Sequence, residues 1–187
     1  MRQFGWRAAR LYFRAIMKSK CIFLDRDGVL NQDNPNYTFQ PEKFNILPGA
    51  IEGLKMLKTS GYRLVVITNQ SGISQGLYTI ADMNACHDYF QKESNNVIDH
   101  FYFCPYHPTV TASLARKPAT LMFEKAIAKF DVDVSQAWMI GDRARDIIPA
   151  RMLGMRTIQI GDEVEPQHQA EFKVNDLVEA ARLILNR

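Results

Sequence analysis

The feature that most constrains the fold of this chain is an apolar run, residues 21–24, that ends abruptly in Asp25, Arg26, Asp27 and Gly28. A short apolar run bounded by a turn signal predicts a buried strand. Open α/β sheets bind ligands just outside the carboxyl ends of their strands. In an extended chain, Asp25 and Asp27 point the same way, roughly 6.6 Å apart. Such crowded carboxylates need a cation or a shared proton, and Mg²⁺ is the cation that usually accompanies phosphates.

Apolar runs alternate with helical patterns along the rest of the chain. Further strands are predicted at 62–68, 97–103, 137–140 and 155–160, and helices at 48–60, 79–94, 119–130, 142–153 and 175–185. This βαβαβ alternation predicts an α/β fold with a mainly parallel sheet of five or six strands and helices on both faces. The length of 187 residues suits one such domain.

Charge is divided unevenly between a leader, residues 1–20, and a domain, residues 21–187. The leader has six basic residues and no acidic one, so the net charge of +3 for the whole chain becomes −3 for the domain. A mildly acidic domain argues against nucleic-acid binding. No apolar stretch approaches the ~20 residues that span a bilayer, so we expect no stable membrane insertion.

Two interpretations of residues 1–16 stay open. If Met17 is the natural start, these residues are translated upstream sequence, and the leader is not native or is disordered. Alternatively, Arg7, Arg10 and Arg14 share one face of a basic amphipathic helix that touches a membrane or acts as an organellar presequence.

The cysteines indicate the redox environment of the chain. Cys21, Cys86 and Cys104 cannot form an even disulfide set, and Cys21 lies in the first predicted strand. We therefore expect a reducing, cytoplasmic environment.

Two further clusters follow predicted strands or precede predicted helices. In the sequence TNQSG, the Thr68 hydroxyl and the backbone N–H groups after it can hold phosphate oxygens, although Asn, Ser and Gly also favour plain turns. In the sequence RKP, Lys117 could neutralise a transferring phosphoryl group, and Arg116 could bind a second phosphate or a carboxylate. The alternative for RKP is a solvated basic pair ahead of a helix.

A fourth cluster, GDRARD, lies where the strand at 137–140 meets a helix. Asp142 could complete a metal site with Asp25, and Asp146 lies one helical turn further on the same face. The alternative is that Asp142 is only a first-turn acid favoured by the helix dipole. The role of Asp146 is left open.

In chain order, DRDGVLN, TNQSG, RKP and GDRARD resemble the four motifs of the haloacid dehalogenase superfamily of phosphohydrolases. Within its subfamily IIIA they are most similar to the heptose-bisphosphate 7-phosphatases and the related histidinol-phosphate phosphatases. The resemblance implies a Rossmann-like three-layer sandwich without a large cap domain. It also implies a monomeric, Mg²⁺-dependent enzyme that removes phosphate from a small phosphorylated metabolite.

The resemblance also implies roles for single residues. Asp25 would attack phosphorus to form an aspartyl-phosphate, and Asp27 would protonate the leaving alcohol and then activate water. Mg²⁺ would be bound by Asp25, the Asp27 backbone carbonyl and Asp142. Three groups would hold the phosphoryl oxygens: Thr68, the Asn69 backbone and Lys117. Another set would contact the rest of the substrate: residues 33–37, Ser71, Arg116 and Arg143.

One departure from this subfamily concerns zinc, which its heptose enzymes bind through a Cys/His pair and a later Cys-x-Cys. Cys104 and His107 are present here, but Tyr106 stands two residues after Cys104 and no Cys-x-Cys precedes Arg116. One Cys and one His cannot make a four-ligand structural site, so we expect no zinc.

Four rival functions remain open at this stage, one of which, a membrane-associated interaction protein led by the basic helix, depends on residues 1–16 being part of the natural protein. Histidinol phosphate is the nearest alternative substrate, and a nucleic-acid 3′-phosphatase also has a TNQ-like second motif. A non-enzymatic sugar-phosphate-binding module is the fourth, and Asp27 argues against it, because a protein that only binds phosphate needs no acid two residues after Asp25.

Overall fold

The computed structural model describes residues 18–161 and 168–187. Its strands are β1 Cys21–Leu24, β2 Arg63–Asn69, β3 His100–Cys104, β4 Trp138–Gly141, β5 Arg156–Ile160 and β6 Phe172–Val174. Its α-helices are α1 Ala50–Thr59, α2 Ile80–Ser94, α3 Leu121–Phe130, α4 Ala144–Met152 and α5 Leu177–Leu185. The basic helix considered for residues 1–16 lies outside the described residues.

The six strands form one sheet with the order β3-β2-β1-β4-β5-β6, and every neighbouring pair is parallel. The chain leaves β1 on one side to form β2 and β3, and then returns to the other side of β1 to form β4. The strand order therefore reverses between β1 and β4, which is where sheets of this kind bind ligands. The predicted parallel α/β fold is confirmed.

Alternation along the strands produces the three layers. In β1, Ile22 and Leu24 join one apolar core together with side chains of α1, α2 and α5. Cys21 and Phe23 point to the opposite face and pack with α3 and α4. Successive strand residues face opposite sides of a sheet, so a buried run such as CIFL supplies both cores at once.

Register brings the chemically important residues to one edge of the sheet. Leu24 pairs with Val66 of β2 and with Ile140 of β4. Asp25, Thr68 and Asp142 follow these paired residues by one or two positions, so all three reach the same edge at the carboxyl ends of their strands.

The third strand begins later than the pattern at 97–103 predicts. The Gln91 side chain makes two hydrogen bonds to the backbone of Ile98: it donates to the carbonyl (2.8 Å) and accepts from the N–H (3.1 Å). Those two backbone groups are therefore satisfied by a side chain, and β3 starts at His100. The edge strand β6 is missing from the predicted elements, because three residues are too short for a recognisable pattern.

The three cysteines are buried free thiols: Cys21, Cys86 and Cys104. Within the described ranges, no helix is both long enough and apolar enough to cross a bilayer.

His87 of α2 is an imidazole enclosed in the apolar core. Its ring stacks on Phe101 with centroids 4.2 Å apart, and its Nε2 has no hydrogen-bond partner among the described residues. Burial, and then the positive charge of Arg26, lowers the pKa of His87 to about 3. The folded protein therefore holds this side chain neutral where an unfolded chain would protonate it.

We predict that His87 makes the free energy of unfolding fall in mild acid. Below about pH 6.5 His87 binds a proton in the unfolded chain but stays neutral in the folded chain. Its contribution to the free energy of unfolding is therefore lost as pH falls from 6.5 towards 3. Between about pH 7.5 and 5.5 the wild type should lose about 1 kcal/mol more than His87→Leu. Urea unfolding at both pH values checks this, and equal losses in the two proteins would contradict it.

Candidate active site

The centre of the site is a group of three carboxylates at the reversal of strand order. Asp25 directly follows β1, Asp142 directly follows β4, and Asp146 lies in the first turn of α4. Each offers an oxygen within 4.8 Å of the other two. The Asp25 N–H donates to the Ile140 carbonyl (3.0 Å), which ties the two strand ends together.

Lys117 is the cation that faces these carboxylates. Its Nζ lies 2.9 Å from Asp25 Oδ1 and 2.6 Å from Asp146 Oδ1, and it donates to the Ile67 carbonyl at 2.6 Å. Two carboxylates and one backbone carbonyl therefore surround the ammonium. Burial lowers the pKa of Lys117, but the charges of Asp146 and Asp25 outweigh burial and raise it. Lys117 is therefore charged although it is only 2% exposed.

The cations nearby lower the pKa of these carboxyl groups, Lys117 and Arg145 that of Asp25 and the two arginines Arg145 and Arg143 that of Asp142, but they do not outweigh burial and the neighbouring negative charges. Burial, followed by the charge of Asp146, raises the pKa of Asp25 to about 6. Burial, followed by the charge of Asp25, raises the pKa of Asp142 to about 7. A further cation would favour the ionised form of both groups.

The donor set suits a divalent metal. Asp142 Oδ1 is buried without a hydrogen-bond partner among the described residues. Asp146 Oδ1 is likewise buried without a hydrogen-bond partner among the described residues, but it lies 2.6 Å from the Lys117 ammonium, and its Oδ2 accepts the Arg143 N–H (3.1 Å). Oxygen ligands of this kind are what Mg²⁺ prefers.

Asp27 belongs to a separate network of donors. Its Oδ1 accepts from Arg26 Nη2 and from Asn31 Nδ2, both at 2.9 Å, and its Oδ2 accepts from Gln70 Nε2 at 3.1 Å. Burial raises the pKa of Asp27, but Arg26, Asn31 and Gln70 together lower it below its usual value. The carboxyl is thus held as a carboxylate in a fixed orientation.

The expectation of an extended chain through Asp27 is wrong. β1 ends at Leu24, the chain bends at Arg26, and the Arg26 carbonyl accepts from the N–H groups of Leu30 (2.8 Å) and Asn31 (3.2 Å). The side chain of Asp27 is therefore outside the carboxylate cluster. The metal role of its backbone carbonyl stays a prediction.

Residues of the second motif lie beside both groups. Thr68 is 1% exposed, and its Oγ1 accepts from Gln70 Nε2 (2.9 Å). Asn69 donates to the Lys117 carbonyl and accepts the Lys117 N–H, both at 3.1 Å, so its side chain clamps the loop that carries the lysine. Ser71 is nearly buried, and its carbonyl accepts from Ser74 Oγ (3.2 Å).

The two predicted substrate-binding arginines lie at the rim of the site. Arg143 lies 2.5 Å from Asp33 Oδ2 and 3.4 Å from Asp142 Oδ2, so it bridges the loops after β1 and β4. These three residues line a cavity of about 360 Å³. Arg116 does not line this cavity, and it donates to the Tyr106 carbonyl at 3.1 Å.

Four polar residues that sequence reasoning left without a role prove to organise the site: Arg26, Asn31, Gln70 and Asp146. Each lies inside one of the recognised motifs, which is the only sequence signal that singles it out. Some of their hydrogen bonds join residues distant in the chain, such as the bond from Gln70 to Asp27, 43 positions away.

The loop after β3 holds the two residues considered for zinc. Cys104 is a buried free thiol, and Nδ1 of His107 lies 2.7 Å from Thr109 Oγ1. The absence of zinc stays a prediction that metal analysis of the purified protein can test.

Comparison with known proteins identifies the family. The model of the "HAD-hyrolase-like" family matches residues 114–180. The D-glycero-beta-D-manno-heptose-1,7-bisphosphate 7-phosphatase of Haemophilus ducreyi is 32% identical over 87% of this chain and 97% of its own length. The corresponding Helicobacter pylori protein is 38% identical over 71% of this chain and 78% of its own. The chain belongs to the heptose-bisphosphate phosphatase family of the haloacid dehalogenase superfamily.

A solved structure from this family bears on the metal. The D,D-heptose 1,7-bisphosphate phosphatase of Bordetella bronchiseptica, crystallised with magnesium and phosphate, superposes with a TM-score of 0.81 at 28% identity. The match covers 91% of this chain and 99% of that one. Like other members of the heptose-bisphosphate phosphatase family, this chain is a phosphatase without a cap domain. Magnesium is its cofactor, in agreement with the three clustered carboxylates.

We predict that Gly28 is required for magnesium binding. Its φ is 81°, and an added Cβ would lie 2.4 Å from Asp142 Oδ2, so Gly28→Ala must displace that carboxylate. Gly61→Ala is the matched control, because φ is 87° there but nothing lies within 4 Å of an added Cβ.

Both substitutions should lower the free energy of unfolding by about 1 kcal/mol, the usual cost of a side chain in this conformation. Only Gly28→Ala should raise the Mg²⁺ concentration for half-maximal activity, by about tenfold or more. A magnesium titration of phosphatase activity checks this. The same half-maximal concentration in the two variants would mean that Gly28 does not shape the metal site.

Proposed function

We propose that this chain hydrolyses the 7-phosphate of D-glycero-D-manno-heptose 1,7-bisphosphate, a reaction of carbohydrate metabolism. The observation that carries the proposal is the juxtaposition of a buried Asp25 with Lys117 and Asp142 at the reversal of strand order. Similarity to relatives named for this activity, at 30–38% identity among the matches, supports the choice of substrate.

In the first step of the proposed reaction, a carboxylate oxygen of Asp25 attacks phosphorus. A bond forms between that oxygen and phosphorus, the bond from phosphorus to the sugar oxygen breaks, and the alkoxide takes a proton from Asp27. Asp27 is ionised in the resting site, but a bound phosphate dianion raises the pKa of a neighbouring carboxyl, which allows Asp27 to take up this proton.

In the second step, Asp27 is the base. It takes a proton from water, the water oxygen forms a bond to phosphorus, and the bond to the Asp25 oxygen breaks to release inorganic phosphate. The donors that lower the pKa of Asp27 also hold its carboxylate in place for this role.

The reaction also requires that the negative charge on the phosphoryl oxygens be stabilised. Lys117, the Thr68 hydroxyl and the Asn69 backbone N–H would hold these oxygens. Mg²⁺, held by Asp25, Asp142 and the Asp27 backbone carbonyl, would neutralise the same charge and orient the phosphate.

Residues around the carboxylate cluster would bind the part of the substrate that lies beyond the transferred phosphate. Arg116 would bind the second phosphate of the bisphosphate with its planar fork. The loop at 33–37, Ser71 and Arg143 would contact the sugar hydroxyls. Histidinol phosphate has no second phosphate to pair with Arg116, so it is the weaker candidate for the substrate.

The proposal includes the setting in which the enzyme works. Three free buried thiols suit a reducing cytoplasm, and we expect a monomer that acts on a small molecule without nucleic acid.

Asp25→Asn should abolish release of phosphate from p-nitrophenyl phosphate, by more than about 1,000-fold, because a carboxamide oxygen is a poor nucleophile towards phosphorus. Asp88→Asn is the matched control, since this exposed residue of α2 lies outside the site and should keep full activity. Colorimetric assay of nitrophenol checks the result. Retained activity in Asp25→Asn would remove the covalent mechanism.

Arg116→Ala should distinguish a bisphosphate from a monophosphate substrate. We expect kcat/KM for heptose 1,7-bisphosphate to fall about tenfold or more, because the charge that pairs with the second phosphate is lost. Hydrolysis of histidinol phosphate, measured in parallel by phosphate release, should change much less. A wild type that prefers histidinol phosphate would contradict the proposed substrate.

A further inference from the structure

Gln70 joins two groups that the proposed reaction needs. Its Nε2 donates to Asp27 Oδ2 (3.1 Å) and to Thr68 Oγ1 (2.9 Å), and its side chain is almost completely buried. Its Oε1 accepts from the Tyr78 hydroxyl at 2.8 Å. Both ends of this amide are therefore engaged, one by the site and the other by Tyr78.

The orientation of the Gln70 amide matters more when Asp27 is a neutral acid than when it is a carboxylate. The two ends of an amide have nearly the same shape, so packing alone does not choose between them. An ionised Asp27 attracts the Nε2 donors by its charge. A protonated Asp27 could instead donate its proton to the oxygen of a reversed amide. That proton would then be unavailable to the leaving group.

The Tyr78 hydroxyl opposes that reversal. Tyr78 is 5% exposed, so a reversed amide would leave its hydroxyl proton buried without the acceptor it now has. The ring itself is held by packing: it stacks on Phe39 with centroids 5.0 Å apart, and an added Cβ at Gly72 would lie 2.3 Å from it. The hydroxyl is therefore aimed at Gln70 by contacts that do not involve the hydroxyl.

We infer that Tyr78 is a positioning residue for general-acid catalysis, acting through Gln70 to reserve the Asp27 proton for the leaving alcohol. This inference rests on the proposed phosphatase chemistry but not on the identity of the sugar. It predicts that Tyr78 matters for poor leaving groups, which need a proton, and not for good ones.

The test compares two esters in the Tyr78→Phe variant, which keeps the ring and its packing. One ester is p-nitrophenyl phosphate, whose leaving group departs unprotonated. The other is an alkyl phosphate, chosen as the one that the wild type hydrolyses fastest among heptose 1,7-bisphosphate, histidinol phosphate and glycerol 1-phosphate. We compare kcat/KM, because it reports the step in which the leaving group departs and excludes hydrolysis of the aspartyl-phosphate, which both esters share.

We expect kcat/KM for the alkyl ester to fall about tenfold or more in Tyr78→Phe, and that for the nitrophenyl ester to change less than about threefold. Tyr89→Phe is the matched control. Tyr89 lies on α2, the helix that follows Tyr78, and packs edge-on against Phe44. Tyr89→Phe should change kcat/KM for neither ester. Equal losses for both esters in Tyr78→Phe, or no loss for either, would overturn the assignment.

A double-mutant cycle tests the route through Gln70. In a Gln70→Ala background, adding Tyr78→Phe should change kcat/KM for the alkyl ester less than about twofold. Full additivity would overturn the inference while leaving the proposed function intact. A wild type that releases phosphate from no ester would overturn both, so the two failures are distinguishable.

Discussion

The site depends on one electrostatic arrangement: a buried ammonium, Lys117, shared between Asp25 and Asp146. Leaving any of these charges buried without its partners would be costly, so the loop that carries the lysine must dock against the ends of β1 and α4. Asn69 secures that loop from β2 by two hydrogen bonds to its backbone. The ion pairs therefore join three separate parts of the chain and leave Asp142 beside Asp25 with an oxygen open to a metal.

The two aspartates of the first motif, Asp25 and Asp27, lie in different electrostatic surroundings. Burial and then the neighbouring carboxylates raise the pKa of Asp25, whereas guanidinium and amide donors outweigh burial and lower the pKa of Asp27. The roles proposed for them, a nucleophile beside a metal and an acid that later acts as a base, need such different environments. The bend of the chain at Arg26 lies between them, and the Arg26 carbonyl accepts from the turn that follows.

Prediction from sequence succeeded where local patterns carry the information. The parallel α/β sheet, the four motifs and the meeting of Asp25 with Asp142 all follow from strands that end in polar residues. It failed for β6, which is too short, and for the start of β3, where Gln91 replaces the strand's own hydrogen bonds. The placement of Asp27 failed for a related reason: the turn after Leu24 depends on contacts with Asn31 and Gln70 that no local pattern encodes.

The amino-acid sequence by itself determined the fold class and the meeting of Asp25 with Asp142, because alternating apolar runs dictate a parallel sheet and the ends of such strands converge. Only the tertiary structure decided which groups touch. It made Asp146 a partner of Lys117 and linked Tyr78 through Gln70 to Asp27. The reason is physical: hydrogen bonds and ion pairs act over about 3 Å, and residues far apart in the chain, such as Asp27 and Gln70 at 43 positions, come that close only when the sheet and its loops are packed.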